Sequence, residues 1–174
     1  MVEVEIDSIR VSLMSQQRIV ILKERDSDRF LPIWIGPYEA EAITLSLQDV
    51  EVARPLTHDL LRNALTELGA QVTRVDITEL KENVFFARIV MQVDGEERWI
   101  DSRPSDALAL AVRVHVPVFV AEEVMEEASS IPEADLETEP SEDAPPDERL
   151  EVFKDFMDSL DIDDLAADDS GKDS

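Results

Sequence analysis

Apolar and polar residues alternate through much of the first part of the chain, a pattern typical of strands with one buried face. We predict six strands, at Val2–Ile6, Arg18–Lys23, Arg29–Ile35, Gln71–Glu79, Val84–Val93 and Glu96–Asp101. Asp94-Gly95 favours a hairpin turn before the last strand, and Asp26-Ser27-Asp28 favours one before the third. Such short connections predict antiparallel neighbours.

Three helices are predicted between these strands, at residues 37–48, 57–68 and 104–114. Pro37 and Pro104 fit the first turn of a helix, where a missing N–H costs nothing. Thr57 is a candidate N-cap for the second helix, and Gly69 follows its predicted end.

A shift of 67 residues lays Val20–Leu45 over Ala87–Val112 without a gap. Both segments run apolar strand, polar turn, strand, and then a helix that starts with Pro. We therefore predict an α+β fold in which duplicated β-hairpin–helix units form a mixed or antiparallel sheet packed by helices. Chance similarity between two hairpin–helix units is the alternative.

The pattern divides the chain into three parts: a globular domain at 1–128, a linker at 129–149, and an amphipathic helix with an acidic tail at 150–174. The linker is rich in Pro, Glu, Asp and Ser, which predicts disorder. Apolar residues then recur at helical spacing, at Leu150, Phe153, Met157 and Leu160. So short a helix is marginal alone, so we expect it to dock on its own core, a second subunit or a partner.

Composition narrows the class of protein. The chain has no Cys, which excludes disulfides, thiolate metal sites and a cysteine nucleophile. No apolar run is long enough to span a membrane, and the start lacks a signal-peptide pattern, so we expect a cytoplasmic protein. The net charge is −25, and residues 121–174 hold 21 acidic against three basic residues. This field opposes ordinary nucleic-acid binding, and we expect Trp34 and Trp99 to pack in the core rather than stack on bases.

Three polar clusters lie where helices are predicted to begin, at Arg54–Asp59, Asp101–Asp106 and Gly36–Glu41. Helix N-termini favour anions through their free N–H groups and partial positive charge. Acidic residues there also cap helices, which is the simpler explanation for Glu39, Asp59 and Asp106.

The segments Pro32–Ile43, Arg54–Leu61 and Asp101–Leu110 resemble signature blocks of the bifunctional nuclease (BFN) domain family, and Glu148–Leu160 is similar to the C-terminal helix of bacterial members. This resemblance extends over roughly residues 2–128. It implies an α+β domain, self-association and hydrolysis of DNA or RNA, an activity for which plant members are named. It does not imply a catalytic residue set.

Hydrolysis of phosphodiesters with Mg²⁺ or Mn²⁺ needs carboxylate ligands, a cation for the phosphate and a base. Asp101 and Asp106 are the candidate metal ligands, and Arg54 and Arg103 are candidate phosphate-binding residues. The full set of catalytic candidates is His58, Asp59, Asp101, Arg103 and Asp106. Alternatively His58 is a buried or capping imidazole bonded to backbone, and Arg54, Arg103 and Asp101 form a structural salt-bridge network between the repeat units.

Two other functions fit the same sequence. A non-catalytic, homo-oligomeric regulatory module would use the acidic tail and terminal helix to bind a protein partner. A small-ligand protein would hold an anionic metabolite between helix starts near Gly36 and Arg103.

Overall fold

The computed structural model describes residues 1–11 and 17–131 of the 174-residue chain. Seven strands and four helices lie in these residues. In chain order they are β1 (Val2–Val11), β2 (Arg18–Glu24), β3 (Phe30–Ile35), α1 (Pro37–Leu47), α2 (Thr57–Glu67), β4 (Ala70–Lys81), β5 (Val84–Val93), β6 (Glu96–Ser102), α3 (Pro104–Val114), β7 (Val118–Val120) and α4 (Glu122–Ala128).

The strands form one mixed sheet in the order β3-β2-β1-β7-β4-β5-β6. Neighbours pair antiparallel throughout, except β4 and β7, which are parallel. The short strand β7 joins the two outer halves of the sheet, because it pairs with β1 on one side and β4 on the other. After α4 the chain returns to the β3 edge, where Phe30 and Ser130 exchange two backbone hydrogen bonds of 2.8 Å.

Helix α3 is the centre of the helical layer. It contacts β4 and β5 as well as α1 and α2. Its small and branched apolar residues, Ala107 to Ala111, are almost fully buried. Because the Ala side chains are short, helix and sheet can approach closely, and one continuous core results that also includes Val124 and Met125 of α4.

All six predicted strands and all three predicted helices form, and the fold is α+β. Pro37 and Pro104 are the first residues of α1 and α3, as predicted. The Asp94-Gly95 turn also forms, with both residues at positive φ. Thr57 was wrong as an N-cap: it is the first residue of α2, and Leu56 precedes it as the cap.

The two repeat segments correspond to β2–β3–α1 and β5–β6–α3, and β3 and β6 are the opposite edges of the sheet. Whether these units arose by duplication stays a prediction. Most of the predicted linker, and all of the predicted terminal helix and tail, lie outside the described residues. None of the helices in the described ranges combines the length and apolar character needed to cross a membrane.

The two tryptophans are not core residues, and the expectation that they pack there was wrong. Trp34 is 57% exposed and Trp99 is 56% exposed. Trp34 alternates with Leu31 and Ile33, which face the core, so strand geometry turns its ring to the opposite side. Trp99 lies on the edge strand β6, where the Arg88 guanidinium stacks 4.3 Å from its ring centre.

Candidate functional site

The first turns of α1, α2 and α3 surround a cleft of about 620 Å³. Each helix contributes polar side chains near its start, and the loop before α2 adds an apolar rim. Its acidic, basic and imidazole side chains are Glu39, Glu41, His58, Arg103 and Asp106. Each of the three polar clusters in the sequence therefore contributes residues to this cleft.

Arg103 connects two carboxylates that occupy the same position in the two repeat units. Its Nε donates to Asp106 Oδ2 at 2.8 Å, and its Nη2 donates to Glu39 Oε1 at 2.7 Å. The predicted ion pair between repeat units is thus present for Arg103. Neither Glu39 nor Asp106 caps its helix, since the hydrogen bonds that each carboxylate accepts in the described residues come from side chains and not from a backbone N–H.

His58 lies in the wall of the cleft, 8% exposed, with Nε2 at 3.1 Å from Asp106 Oδ1. An ionised carboxylate can only accept hydrogen bonds, so Nε2 carries the proton in this pair. In the neutral imidazole Nδ1 is then the free acceptor. His58 is therefore buried, as the structural alternative predicted, but it is bonded to a carboxylate rather than to backbone. Its role as a base stays a prediction.

Asp106 is kept ionised by its neighbours. Burial alone would raise the pKa of its carboxyl, but the hydrogen bonds and charges of Arg103 and His58 outweigh burial and lower it below 3.8. The same contact with Asp106, together with Glu39, raises the pKa of Arg103. The group is thus an Arg⁺ between two acidic side chains, one of which orients a histidine.

Asp59 points away from the cleft. Its Oδ2 accepts from the Leu56 backbone N–H at 2.9 Å, and its Oδ1 accepts from Arg113 Nε at 2.9 Å. Arg113 is buried, and its other N–H groups donate to the Ala109 and Ala42 carbonyls. The hydrogen bond from the Leu56 N–H confirms capping, the simpler explanation, for Asp59. Asp59 does not join His58 at the cleft, because adjacent helical residues point in different directions.

Asp101 and Arg54 are not among the residues that line the cleft. Asp101 pairs with Arg88 across β5 and β6, whereas Ser102 pairs with the buried Ala87. Strand alternation therefore places Asp101 on the sheet face away from α3. Arg54 is exposed in the loop before α2 and forms no ion pair with any described residue.

Sequence reasoning missed Glu39 and Arg113 as partners of the site residues. The signal for Glu39 was present, because the shift of 67 residues makes it the equivalent of Asp106. No comparable signal marked Arg113, since its partner Asp59 is 54 residues away.

Carboxylate oxygens in the cleft have the right chemistry for Mg²⁺ or Mn²⁺. Their arrangement does not form a ready metal site: in residues 1–11 and 17–131 no three His, Asp or Glu groups are grouped so that they could hold an ion. The Arg103 guanidinium already bridges Glu39 and Asp106, and Asp101 lies on the other sheet face. Dependence on a divalent metal stays a prediction.

Comparison with known proteins gives a consistent family. A model described as the bifunctional nuclease domain matches residues 20–133. The "Uncharacterized protein Rv1829" of Mycobacterium tuberculosis is 41% identical over 166 residues, 95% of this chain and 98% of its own. "Bifunctional nuclease 1" of Oryza sativa subsp. indica is 30% identical over 105 residues, and "Bifunctional nuclease 2" of Arabidopsis thaliana is 28% identical over 105. Each plant alignment covers 59% of this chain and 32% of the plant protein.

Proposed function

Because the chain belongs to the bifunctional nuclease domain family, we propose that it hydrolyses phosphodiester bonds of DNA or RNA in the cleft between α1, α2 and α3. The observation that carries the proposal is the convergence of His58, Asp106 and Arg103 on this cleft. It supplies a base, a carboxylate that orients it, and a cation for the phosphate.

His58 is the general base in this proposal. Its Nδ1 takes a proton from the water that attacks phosphorus, and Asp106 stabilises the imidazolium that forms. The P–O bond to the leaving strand breaks as the bond to water forms, and the leaving oxygen takes a proton from solvent. Without the carboxylate the imidazole loses the hydrogen bond that fixes its orientation. Asp106 is accordingly a positioning residue that acts through His58.

Arg103 is the phosphate-binding residue. Its side chain is 66% exposed, and the contacts with Asp106 and Glu39 use two of the five guanidinium N–H groups. The others are free to donate to phosphate oxygens, where a fixed cation stabilises the charge that develops in the transition state. Glu39 and Asp106 hold the guanidinium at the cleft in the absence of substrate.

The test is cleavage of labelled single- and double-stranded DNA and RNA, with Mg²⁺, with Mn²⁺ and with a chelator. Asp106→Asn and His58→Ala should each lower kcat by about 10²- to 10⁴-fold. Asp101→Asn is the matched control, because it removes a carboxylate five residues away that faces the other side of the sheet.

Two results would oppose this assignment. Full activity of Asp106→Asn with folding confirmed would place any cleavage elsewhere. Loss of activity in Asp101→Asn, together with metal dependence, would restore the metal pair that the sequence suggested, Asp101 with Asp106.

Self-association and partner binding by the acidic tail remain part of the proposal as the second candidate function. The outer edge of β6 has no strand beside it in the described residues, and Trp99 and Ile100 are exposed there. Such an edge can pair with a second copy.

Light scattering after gel filtration measures the subunit number. A pull-down with and without residues 129–174 tests whether the tail binds a protein, and unchanged capture would end that version.

A further inference from the structure

A second, smaller cavity of about 240 Å³ lies beside the proposed catalytic cleft. The end of β3, the β4–β5 turn and the start of α3 form it. Arg103 lines this cavity and the catalytic cleft alike, so the two sites are adjacent. Trp34, which is 57% exposed, is among the residues that line it.

The chemistry of this cavity differs from that of the rest of the protein. In a chain of net charge −25, no Asp or Glu lines it, and Arg103 is its one charged residue among the described residues. The catalytic cleft, by contrast, contains Glu39, Glu41 and Asp106. An anionic polymer with flat apolar groups is therefore repelled less here than at the neighbouring cleft.

Asn83 adds a polar group to the same wall. It lies at positive φ in the β4–β5 turn, and its amide forms no hydrogen bond with any side chain or backbone group that the structure describes. An amide offers a donor and an acceptor together, which is the pattern that base edges present. The volume is below the roughly 300 Å³ at which pockets begin to hold drug-sized ligands, and it leaves room for one planar base.

We propose that Trp34 is a base-stacking platform that binds one unpaired base of a nucleic acid whose adjoining phosphate lies on Arg103. This inference rests on the proposed function, and it makes single-stranded DNA or RNA the preferred substrate class. In a duplex the faces of the bases are already stacked on each other, so only a strand with free bases can use the indole.

Binding is measured first, without cleavage. The chain has two Trp residues, so Trp99→Phe leaves Trp34 as the one indole. A ten-nucleotide phosphorothioate oligothymidylate, which resists cleavage, should quench the Trp34 emission. An abasic strand of equal length and charge should quench far less, and so should a blunt duplex.

Trp34→Ala should weaken binding of the oligothymidylate, followed by a label on the strand, by about 5- to 100-fold, the range found for loss of one stacked base. In cleavage it should raise KM and leave kcat nearly unchanged, because stacking is the same in the ground and transition states. Trp99→Ala is the control, since that indole is equally exposed but does not line the cavity. Light scattering must show that its subunit number equals that of the wild type, because Trp99 lies on the β6 edge.

The outcomes separate the two proposals. Cleavage with equal KM in the wild type and in Trp34→Ala would overturn the stacking platform and leave the nuclease intact. No cleavage, but quenching by the oligothymidylate and not by the abasic strand, would support the base site while the nuclease fails. If Trp34→Ala instead converts a dimer into monomers and oligonucleotide affinity is unchanged, the indole belongs to a subunit interface and the platform is overturned.

Discussion

At the scale of single residues, Gly36 controls where the Glu39 carboxylate can lie. A Cβ at position 36 would overlap with Glu39 Oε2, the end of a flexible side chain. Gly36 has φ −69° and ψ 157°, which Ala tolerates, so the carboxylate moves rather than the backbone. We therefore expect Gly36→Ala to displace Glu39 from Arg103 and lower cleavage severalfold, while the free energy of unfolding is unchanged or rises by up to about 1 kcal/mol.

The double variant tests this cause. In a Glu39→Ala background the added methyl group meets no carboxylate, so Gly36→Ala should change cleavage no further. The measurement is kcat/KM for the four proteins, with chemical denaturation as the check on stability. Additive losses would show that Gly36 acts on something other than Glu39.

Sequence reasoning identified the central site residues because motif spacing is local. Arg103 and Asp106 are three residues apart at a helix start, which keeps them together in any fold that retains the helix. His58 joins them from 48 residues away, and only the packing of α2 on α3 brings it there. The reason that Asp101 does not lie in the cleft is equally local. It belongs to strand β6, where successive side chains face opposite sides of the sheet.

At the scale of elements, the ion pair between Asp59 and Arg113 holds α2 against α3 and so sets the position of His58. The Arg113 side chain is 4% exposed, and loss of its partner leaves a buried charge with backbone acceptors alone. We expect Asp59→Ala to lower the free energy of unfolding by about 3 kcal/mol. Glu67→Ala is the control, because it removes an exposed acid from the same helix and should cost less than about 0.5 kcal/mol.

Urea denaturation of both variants at neutral pH measures this difference. Equal stability of Asp59→Ala and Glu67→Ala would mean that the two carbonyls satisfy Arg113 without the carboxylate. In that case the ion pair would not contribute to the packing of α2 on α3.

The same carboxylates predict acid sensitivity. Burial would raise the pKa of Asp59, but the Leu56 N–H and Arg113 outweigh it and lower the pKa below the ordinary 3.8. The folded protein then binds fewer protons than the unfolded chain, so the free energy of unfolding falls as the pH falls below about 4. Asp106 contributes in the same direction.

Asp59→Asn cannot titrate, so its stability should depend less steeply on pH than that of the wild type between pH 5 and pH 3, by at most about 1.4 kcal/mol per pH unit. Urea midpoints along this series provide the measurement. Parallel curves would mean that Asp59 keeps its ordinary pKa in the folded protein.

Most strands and helices could be predicted from the sequence, because apolar alternation and the positions of Pro and Gly are signals within a few residues. Two short elements, β7 and α4, could not. β7 has only three residues, too few to show alternation, yet it joins both halves of the sheet. α4 has seven residues with four acidic ones, and its two buried residues, Val124 and Met125, gain their partners only from the folded core.

At the scale of the whole molecule, strand order depends on long-range pairing that no local pattern encodes. β1 and β4 are separated by about half the domain, and the parallel β4–β7 ladder places them one strand apart. Net charge, unlike strand order, is determined by the sequence alone. Its electrostatic field repels or attracts a nucleic acid at long range, before any contact forms.

The net charge of −25 predicts an unusual salt dependence for a nuclease. Ordinary nucleic-acid-binding proteins lose affinity steadily as salt rises, because Lys and Arg contacts release counterions. Here repulsion between chain and substrate is strongest at low salt, where the Debye length is about 30 Å at 0.01 M, and it is screened at about 10 Å by 0.1 M. We expect kcat/KM for a single-stranded oligonucleotide to rise severalfold over this interval, with divalent cations held constant.

A dinucleotide with one phosphate is the control, and its kcat/KM should respond much less to salt, because the repulsion scales with substrate charge. A steady fall for the oligonucleotide would instead show that local contacts such as Arg103 outweigh the field of the whole chain.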